Sequence, residues 1–431
     1  MILLRNWTLP LECRRVDLHH PKANPMSALP QRMGQTEFIA FTAMMFATIA
    51  FSVDAMLPAL PEIASELSPL DPNRAQLILT SFVLGMGVGT FIAGPLSDSF
   101  GRKRIITIGA ALYCVSAFVA WWSSSLEVML VARVVQGIGA AGPRVVTMAI
   151  VRDLYAGREM ARIISFSMMI FTLVPAIAPL LGSGIIAFTG WRGIFAAFIV
   201  FSLLSMTWMH LRLNESLSAS DRRPFRAGKL WEALKELMTY PEVRVSIAAQ
   251  SLSFGMLFTM LSLVHPVYDV VFGRAESFPV WFGIVALLAG SGSFLNAKIV
   301  VIYGMRRVVM WMFAAQIGFA ACMVAAILAQ PPDAIYFGIF VLWQVTVFFQ
   351  AGLTVGNLNA MAMEPVGHIA GLAASTMGGV ATIIGAALAA PVGLLFAGTP
   401  MPLAVSTLVW AILATALMLY LGKLEGRVRS A

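Results

Sequence analysis

Apolar stretches of about 20 residues recur along the whole 431-residue chain, and this feature restricts the possible folds more than any other. A helix of about 20 residues crosses the roughly 30 Å hydrocarbon core of a bilayer. Only 12% of the residues are charged, which is about half the fraction in a typical soluble domain. The sequence therefore predicts an all-α membrane protein with twelve spans, at residues 38–60, 76–96, 105–124, 127–150, 163–187, 193–212, 244–268, 279–300, 308–329, 334–362, 370–397 and 402–422.

Lysine and arginine are distributed unevenly between the two ends of these spans. If residue 1 lies in the cytoplasm, the cytoplasmic segments hold 24 of the 29 basic residues, whereas the outer loops hold only Arg74, Arg192 and Arg274. Because cytoplasmic loops of membrane proteins are enriched in basic residues, this asymmetry predicts that both termini are cytoplasmic. The net charge of +8 is scattered over short loops, so it does not indicate nucleic-acid binding.

The longest polar interruption, residues 213–243, divides the twelve spans into six and six. Within it, Leu230, Trp231 and Leu234 recur at helical spacing, which predicts a short amphipathic helix on the inner membrane surface. A plain tether is the alternative. The predicted units are a disordered cytoplasmic tail, a six-helix bundle, this linker, a second six-helix bundle and a second cytoplasmic tail, at residues 1–37, 38–212, 213–243, 244–422 and 423–431.

A short charged turn with the sequence GPLSDSFGRKR joins spans 2 and 3 at residues 94–104. Glycine permits a tight reversal there, and Asp98 has the charge to interact with a helix N-terminus or an arginine. A similar Gly-Met-Arg-Arg sequence begins at Gly304, 203 residues after Gly101, but lacks an equivalent of Asp98. The turn resembles the loop-2/3 signature of the major facilitator superfamily. That resemblance implies two six-helix bundles related by an axis along the membrane normal.

Three charged residues, Asp54, Arg133 and Arg144, lie inside predicted spans and away from the span ends. Insertion of each such side chain costs about 2.5–3.5 kcal/mol on membrane-insertion scales, so each is expected to have a structural or functional role inside the membrane. Asp54 and Arg133 both lie about 9 Å below the predicted outer surface, a shared depth that allows a direct or water-mediated interaction. Arg144 follows Arg133 by about three helical turns, so the two arginines face the same side and form a polar stripe about 16 Å long.

Two interpretations of these charges remain open at this point. Asp54 and Arg133 form an ion pair that only locks spans 1 and 4 together, or Asp54 carries protons and Arg133 adjusts its proton affinity. Similarly, Arg144 lines a substrate cavity or serves an inner gate. In span 5, Pro175 and Pro179 weaken the helix and Gly182 allows close approach, which is typical of a moving bundle and also of static close packing.

Several motifs are similar to those of bicyclomycin/chloramphenicol-type drug:proton antiporters, a twelve-span branch of the superfamily. VDAMLPALP at residues 53–61, RVVQGIGAA at 133–141 and VRD at 151–153 resemble their span-1 and span-4 elements. PAIAPLLG at 175–182 resembles their antiporter motif, although Ser183 replaces the usual second glycine. The resemblance covers nearly all of residues 45–400.

This resemblance implies a proton-coupled antiporter of the bacterial inner membrane that works by alternating access. It implies that Arg133 takes part in proton coupling together with Asp54, and that the antiporter motif includes Pro175, Pro179 and Gly182. It also implies an inner gate in which Asp98 caps the helix of span 11 and Arg102 pairs with Asp153, with Gly101 forming the turn.

The predicted substrate cavity comprises Gln136, Arg144, Gln250, Trp343 and Gln344. One acid and two arginines inside the spans disfavour a strongly cationic substrate, so we expect neutral, zwitterionic or weakly anionic amphiphiles. An exporter of one metabolite or siderophore is the alternative. No nucleophile-plus-base pair, metal-ligand cluster or phosphate loop is evident, so the sequence predicts neither an enzyme nor a cofactor. The expected partners are a small-molecule substrate, protons and the lipid bilayer, and we expect a monomer.

Overall fold

A computed structural model describes residues 33–222, 224–225 and 227–430 of the chain. These residues form fourteen α-helices and no β-strand. The helices are α1 (Gln35–Asp54), α2 (Leu60–Leu67), α3 (Leu77–Phe100), α4 (Arg102–Trp122), α5 (Leu126–Leu154), α6 (Gly157–Thr189), α7 (Arg192–Arg212), α8 (Ala227–Leu237), α9 (Pro241–Pro266), α10 (Phe278–Tyr303), α11 (Met305–Ala329), α12 (Asp333–Met363), α13 (Ala370–Leu394) and α14 (Met401–Ser430).

Twelve helical segments among the described residues are long and apolar enough to cross a membrane, which confirms the predicted number. The first consists of α1 and α2 and runs to Leu67, so the prediction that span 1 ends at residue 60 was wrong. A 3₁₀ turn over Leu57–Ala59 interrupts it, because Pro58 and Pro61 cannot donate to the ladder of a continuous helix.

The ends of the predicted units fall close to helix ends. Residues 1–32 of the predicted disordered tail lie outside the described residues, and α1 begins at Gln35, within the last part of that tail. Helix α8 lies inside the predicted linker, and its Leu237 is buried against Val243 at the start of α9. Trp231 on the same helix is exposed. The location of α8 on a membrane surface stays a prediction.

An even number of spans brings both ends of the described chain to the same face of the molecule. We call this the terminal face, and it also carries Gly101 between α3 and α4. The opposite face, which carries the turn between α4 and α5, is the distal face. Asn73, just before α3, donates to the carbonyl oxygens of Leu394 at 3.3 Å and Phe396 at 2.7 Å. The first and last thirds of the chain are therefore joined at the distal face.

Two pairs of helices connect the halves α1–α7 and α9–α14. Helix α3 packs along α13, and α6 packs along α10. The approach is close enough that a β-carbon at Gly379 would lie 2.9 Å from the Gly87 carbonyl oxygen, and one at Gly283 would lie 2.8 Å from the Ala176 oxygen. Such closeness is typical of membrane helices that meet through small residues, and it leaves two seams along which the halves can tilt.

The internal repeat predicted from the sequence has a geometrical counterpart. Gly101 and Gly304, 203 residues apart, both adopt positive φ angles, of 99° and 80°, and each precedes a helix. Four further glycine pairs share the same offset, and two of them, Gly89 with Gly292 and Gly182 with Gly385, lie where helices pack closely. A β-carbon at any of these four glycines would crowd a neighbouring helix of the same half. The halves therefore reuse the same close-packing positions.

Candidate functional site

Asp54 is the last residue of α1 and is only 5% exposed. It lies at the break that the 3₁₀ turn introduces, so its surroundings differ from the middle of a regular helix predicted from the sequence. Among the described residues, no hydrogen bond or ion pair reaches its carboxylate. A buried carboxyl group without a partner is costly when ionised, and such groups inside membranes mark ion or proton pathways.

The antiporter motif of α6 lies directly beside Asp54. Gly182 packs so tightly against the backbone of Ala55 that a β-carbon there would overlap the Ala55 carbonyl oxygen. By contrast, nothing lies within 4 Å of a β-carbon built on Gly184. Pro179 is buried and Pro175 is half-buried one turn earlier, so α6 lacks two backbone donors in this region. The structure thus brings the motif and the acid together.

Arg133 on α5 is completely buried, and its guanidinium has no carboxylate partner among the described residues. Its Nη2 donates to the carbonyl oxygen of Ser52 at 3.0 Å, its Nε to that of Ile78 at 3.3 Å, and its Nη1 to Gln136 Oε1 at 2.8 Å. The guanidinium carbon also lies 4.4 Å from the centroid of the Phe82 ring, a cation–π distance. No direct ion pair with Asp54 forms, although Ser52 is only two residues away.

Tyr113 on α4 also belongs to this cluster, and the sequence reasoning missed it. Its hydroxyl lies 2.6 Å from Ser52 Oγ, which in turn donates to the Thr48 carbonyl oxygen. Ser52, whose carbonyl oxygen accepts from Arg133, is therefore also held in place by the hydroxyl of Tyr113. A tyrosine inside an apolar span, where its hydroxyl requires a partner, was the available signal.

Arg144 differs from Arg133 although both lie on one face of α5. Eleven residues of helix turn the chain by about three full turns, so the two side chains point to the same side. Arg133 is fully buried there, whereas Arg144 is exposed and follows the buried Pro143. Among the described residues, the Arg144 side chain forms no hydrogen bond or ion pair. An exposed residue on the interior face of a helix indicates a solvent-accessible space between the helices.

The predicted inner gate is a compact cluster at the terminal face. Arg102 Nε donates to Asp153 Oδ2 at 2.9 Å, so the implied pair is present. Arg102 Nη1 donates to Ser97 at 2.7 Å and to Asp98. The implied capping of span 11 by Asp98 is not observed, since the described contacts of its side chain go to Arg102, one helical turn away.

A carboxylate from the linker completes this cluster. Glu215 accepts from the backbone N–H groups of Arg102 at 2.9 Å and Lys103 at 3.1 Å, and thereby caps α4. Gly101, with its φ of 99°, leaves room for that carboxylate: a β-carbon would lie 2.9 Å from Glu215 Oε2. Ser216 donates to Asp153 at 2.9 Å. The end of the first half is thus tied to the gate between spans 2 and 3.

Four of the five predicted cavity residues, all except Arg144, share a property with several other buried polar residues of the described chain. Gln136, Gln250, Trp343 and Gln344 are all buried, and each carries a polar side-chain atom without a hydrogen-bond partner. The amide oxygen of Gln344 accepts from the Tyr268 hydroxyl at 3.0 Å, which leaves its Nε2 unpartnered. Because buried polar atoms are rarely left unpaired, these atoms are available to bind water or a ligand. Elsewhere among the described residues, no cluster of His, Cys, Asp and Glu side chains is arranged to hold a metal ion.

Two six-helix halves with ionisable residues between the membrane-spanning helices are the architecture of a membrane transporter. Comparisons with known proteins agree. The family model described as "Major Facilitator Superfamily" matches residues 40–390, and the chain belongs to this superfamily.

The relatives include proteins of drug resistance. The chain is 30% identical over 356 residues to a bicyclomycin resistance protein homolog of Haemophilus influenzae, covering 82% of this chain and 88% of the relative. It is 28% identical over 338 residues to the multidrug resistance protein MdtL of Escherichia coli, covering 78% and 83%. A chloramphenicol resistance protein of Pseudomonas aeruginosa is 38% identical over 148 residues, 34% of this chain and 35% of that one.

Solved structures show the same fold at low sequence identity. The xylose transporter XylE from E. coli, in a partially occluded inward-open conformation, aligns with a TM-score of 0.68 at 13% identity, covering 90% of this chain and 97% of that one. A D-xylose-proton symporter aligns with a TM-score of 0.69 at 14% identity, covering 88% and 97%. The predicted major facilitator fold is therefore confirmed.

Proposed function

We propose that this transporter exports small amphiphilic compounds, including antibiotics, in exchange for protons. The drug-resistance relatives support efflux. The observation that carries proton coupling is Asp54: a buried carboxyl group at a helix break, with no hydrogen-bond or ion-pair partner among the described residues. A group of this kind is stable when protonated and unstable when ionised in the same surroundings. Its protonation state therefore depends on access to water, which alternating access changes.

Arg133 supports this role through its position. It lies at the level of Ser52, and its three hydrogen bonds go to neutral acceptors, so its positive charge is not cancelled by an adjacent carboxylate. We expect this charge to favour release of the proton from Asp54 whenever water enters. Because Arg133 is fixed from several sides, it acts on Asp54 through a constant field without exchanging partners.

In the proposed cycle, substrate binds from the terminal face, which we assign to the cytoplasm of a bacterial inner membrane because the basic residues concentrate there. Release at the distal face is followed by protonation of Asp54, and the return swing carries the proton inward. One charge moving through 100 mV contributes about 2.3 kcal/mol, which corresponds to roughly fiftyfold accumulation. The transporter is expected to work as a monomer.

A resistance assay tests this function. The chain and its Asp54→Asn variant are expressed in an efflux-deficient bacterial host and challenged with chloramphenicol, bicyclomycin and a panel of dyes. We expect the wild type to raise the inhibitory concentration of several compounds and Asp54→Asn to return it to that of the empty vector. Equal resistance from both proteins would remove Asp54 from the mechanism. Saturable export of a single native compound, with no drug resistance, would favour the metabolite exporter.

A further inference from the structure

We propose that Arg144 binds a carboxylate of the transported compound, so that the cavity accepts monoanionic amphiphiles. This inference rests on the proposed function and adds to it the chemical class of one substrate group. Its basis is a contrast along one helix: of the two arginines on the interior face of α5, one is fully engaged and the other is exposed without a partner among the described residues.

A permanent charge between membrane helices needs compensation from protein groups, water or a bound ligand, since its insertion costs about 2.5–3.5 kcal/mol. For Arg133 that interaction is a set of carbonyl oxygens and the Phe82 ring. The neighbouring gate does not supply it for Arg144, because Asp98 and Asp153 both bind Arg102. Asp54 is also unavailable, since it lies near the level of Arg133, about 16 Å from Arg144 along the helix axis.

The depth of Arg144 suits a bound substrate. It lies 18 residues from the distal end of α5, or about 27 Å along the axis. In the other half, Gln250 lies 16 residues from the distal end of α9, or about 24 Å, and carries an unpartnered buried amide oxygen. An arginine that donates and an amide oxygen that accepts, at matching depth in helices of opposite halves, are suited to hold a carboxylate together with a hydrogen-bond donor of the same ligand.

Arginine is well matched to a carboxylate. Its planar guanidinium offers two parallel N–H donors to the two carboxylate oxygens, which gives both strength and orientation. Side-chain donors elsewhere in the predicted cavity, on Gln136, Trp343 and Gln344, are also unpartnered. A cavity with a guanidinium and several free N–H groups favours ligands that carry hydrogen-bond acceptors and a negative charge over cationic ligands.

A matched pair of probes tests this assignment. Radiolabelled 1-naphthaleneacetic acid is an anion at neutral pH, and 1-naphthaleneacetamide has nearly the same shape without the charge. Binding of both is measured to the purified full chain in phosphatidylcholine nanodiscs, where anionic lipid cannot compete. We expect the wild type to prefer the acid, and Arg144→Gln to reduce the ratio of acid to amide affinity by about tenfold to a hundredfold. Arg144→Lys should restore part of that ratio.

Arg158→Gln is the matched control, because Arg158 is an exposed arginine at the start of the next helix. An unchanged ratio in Arg144→Gln, or binding of chloramphenicol but not of the acid by the wild type, would overturn the carboxylate site and leave the efflux function intact. If the wild type neither binds nor exports any compound of the resistance panel, the proposed function fails first. A correctly folded variant is verified by its elution as a single species with the wild-type retention volume.

Discussion

The fourth spans of the two halves, α5 and α12, hold a buried glutamine in the same way but with different partners. Gln136 and Gln344 lie ten and eleven residues from the distal ends of these helices, about 15 Å deep in both cases. Each has its amide oxygen bound and its amide nitrogen free. The donor is a charged arginine, Arg133, in the first half and a neutral tyrosine, Tyr268, in the second.

This difference extends through both halves. The first and fourth spans of the first half contain Asp54, Arg133 and Arg144, whereas α12 has no charged residue beyond Asp333 and α9 has none between its first turn and His265. The second half instead uses neutral pairs, such as Ser253 with Gln350 at 3.0 Å. At mid-depth of these four spans the charged side chains therefore lie in the first half, and the second half offers neutral hydrogen-bonding side chains.

Replacing the two glutamine anchors should give the largest contrast. Arg133→Ala removes a buried guanidinium and leaves its neutral acceptors unpaired, which we expect to cost about 1–3 kcal/mol for each unpaired acceptor and to abolish transport. Tyr268→Phe removes one hydrogen bond, or about 1 kcal/mol, and should lower transport only severalfold. Both variants are measured by substrate export from vesicles. Comparable losses of export in the two variants would contradict the expected difference between the charged anchor of the first half and the neutral anchor of the second.

The repeated glycines allow a second comparison. Gly182→Ala places a methyl group against the carbonyl oxygen of Ala55, next to Asp54. Because a backbone atom cannot move away easily, we expect proton-driven export to fall by about tenfold or more. Gly385→Ala meets the Phe254 side chain in the second half at 2.6 Å. This change should affect thermal stability more than the dependence on the pH gradient.

Gly184→Ala serves as the control for both variants, because its site is open within 4 Å. It should behave as the wild type. A loss of proton-driven export in Gly385→Ala equal to that in Gly182→Ala would contradict a specific role for the close packing beside Asp54.

The two copies of the basic turn should also differ in their contribution to stability. Arg102 is buried between Asp98 and Asp153. Arg102→Ala leaves Asp153 with the hydrogen bond from Ser216 but without a positive charge beside it, and should lower the melting temperature by several degrees. Arg307 is exposed at the corresponding turn of the second half, and Arg307→Ala should change it little. Thermal unfolding followed by fluorescence-detected gel filtration measures both. Equal shifts would indicate that the turns are equivalent.

The smallest expected effect concerns Tyr113. Tyr113→Phe removes only the hydrogen bond to Ser52, which we expect to cost about 0.5–1.5 kcal/mol and to lower the melting temperature slightly. Tyr420 is an exposed tyrosine of the second half, and Tyr420→Phe is the control. If Tyr113→Phe instead abolishes export at wild-type stability, the hydroxyl takes part in proton transfer itself.

Apolar length alone predicted the twelve spans, because crossing a bilayer imposes one requirement on every helix. It failed at the end of span 1, where the helical segment continues to Leu67 although Glu62 and Glu66 end the apolar run. Residue counts along the helices predicted that Asp54 and Arg133 lie at one depth. They could not predict the rotation of the two side chains about their helix axes, so a direct ion pair remained one of two possibilities. In the structure this ion pair does not form. The exposure of Arg144 was likewise beyond the sequence, since it depends on which helices meet around α5.

The most direct test of the account is proton movement coupled to export in liposomes containing the purified protein. With a pH-sensitive dye inside and a transported compound supplied, we expect the wild type to exchange protons for substrate, and Asp269→Asn, which alters an acid near the distal end of α9, to do the same. Asp54→Asn should still exchange labelled for unlabelled substrate but move no protons. Substrate-dependent proton movement of normal size in Asp54→Asn would contradict the central role given to this carboxyl group.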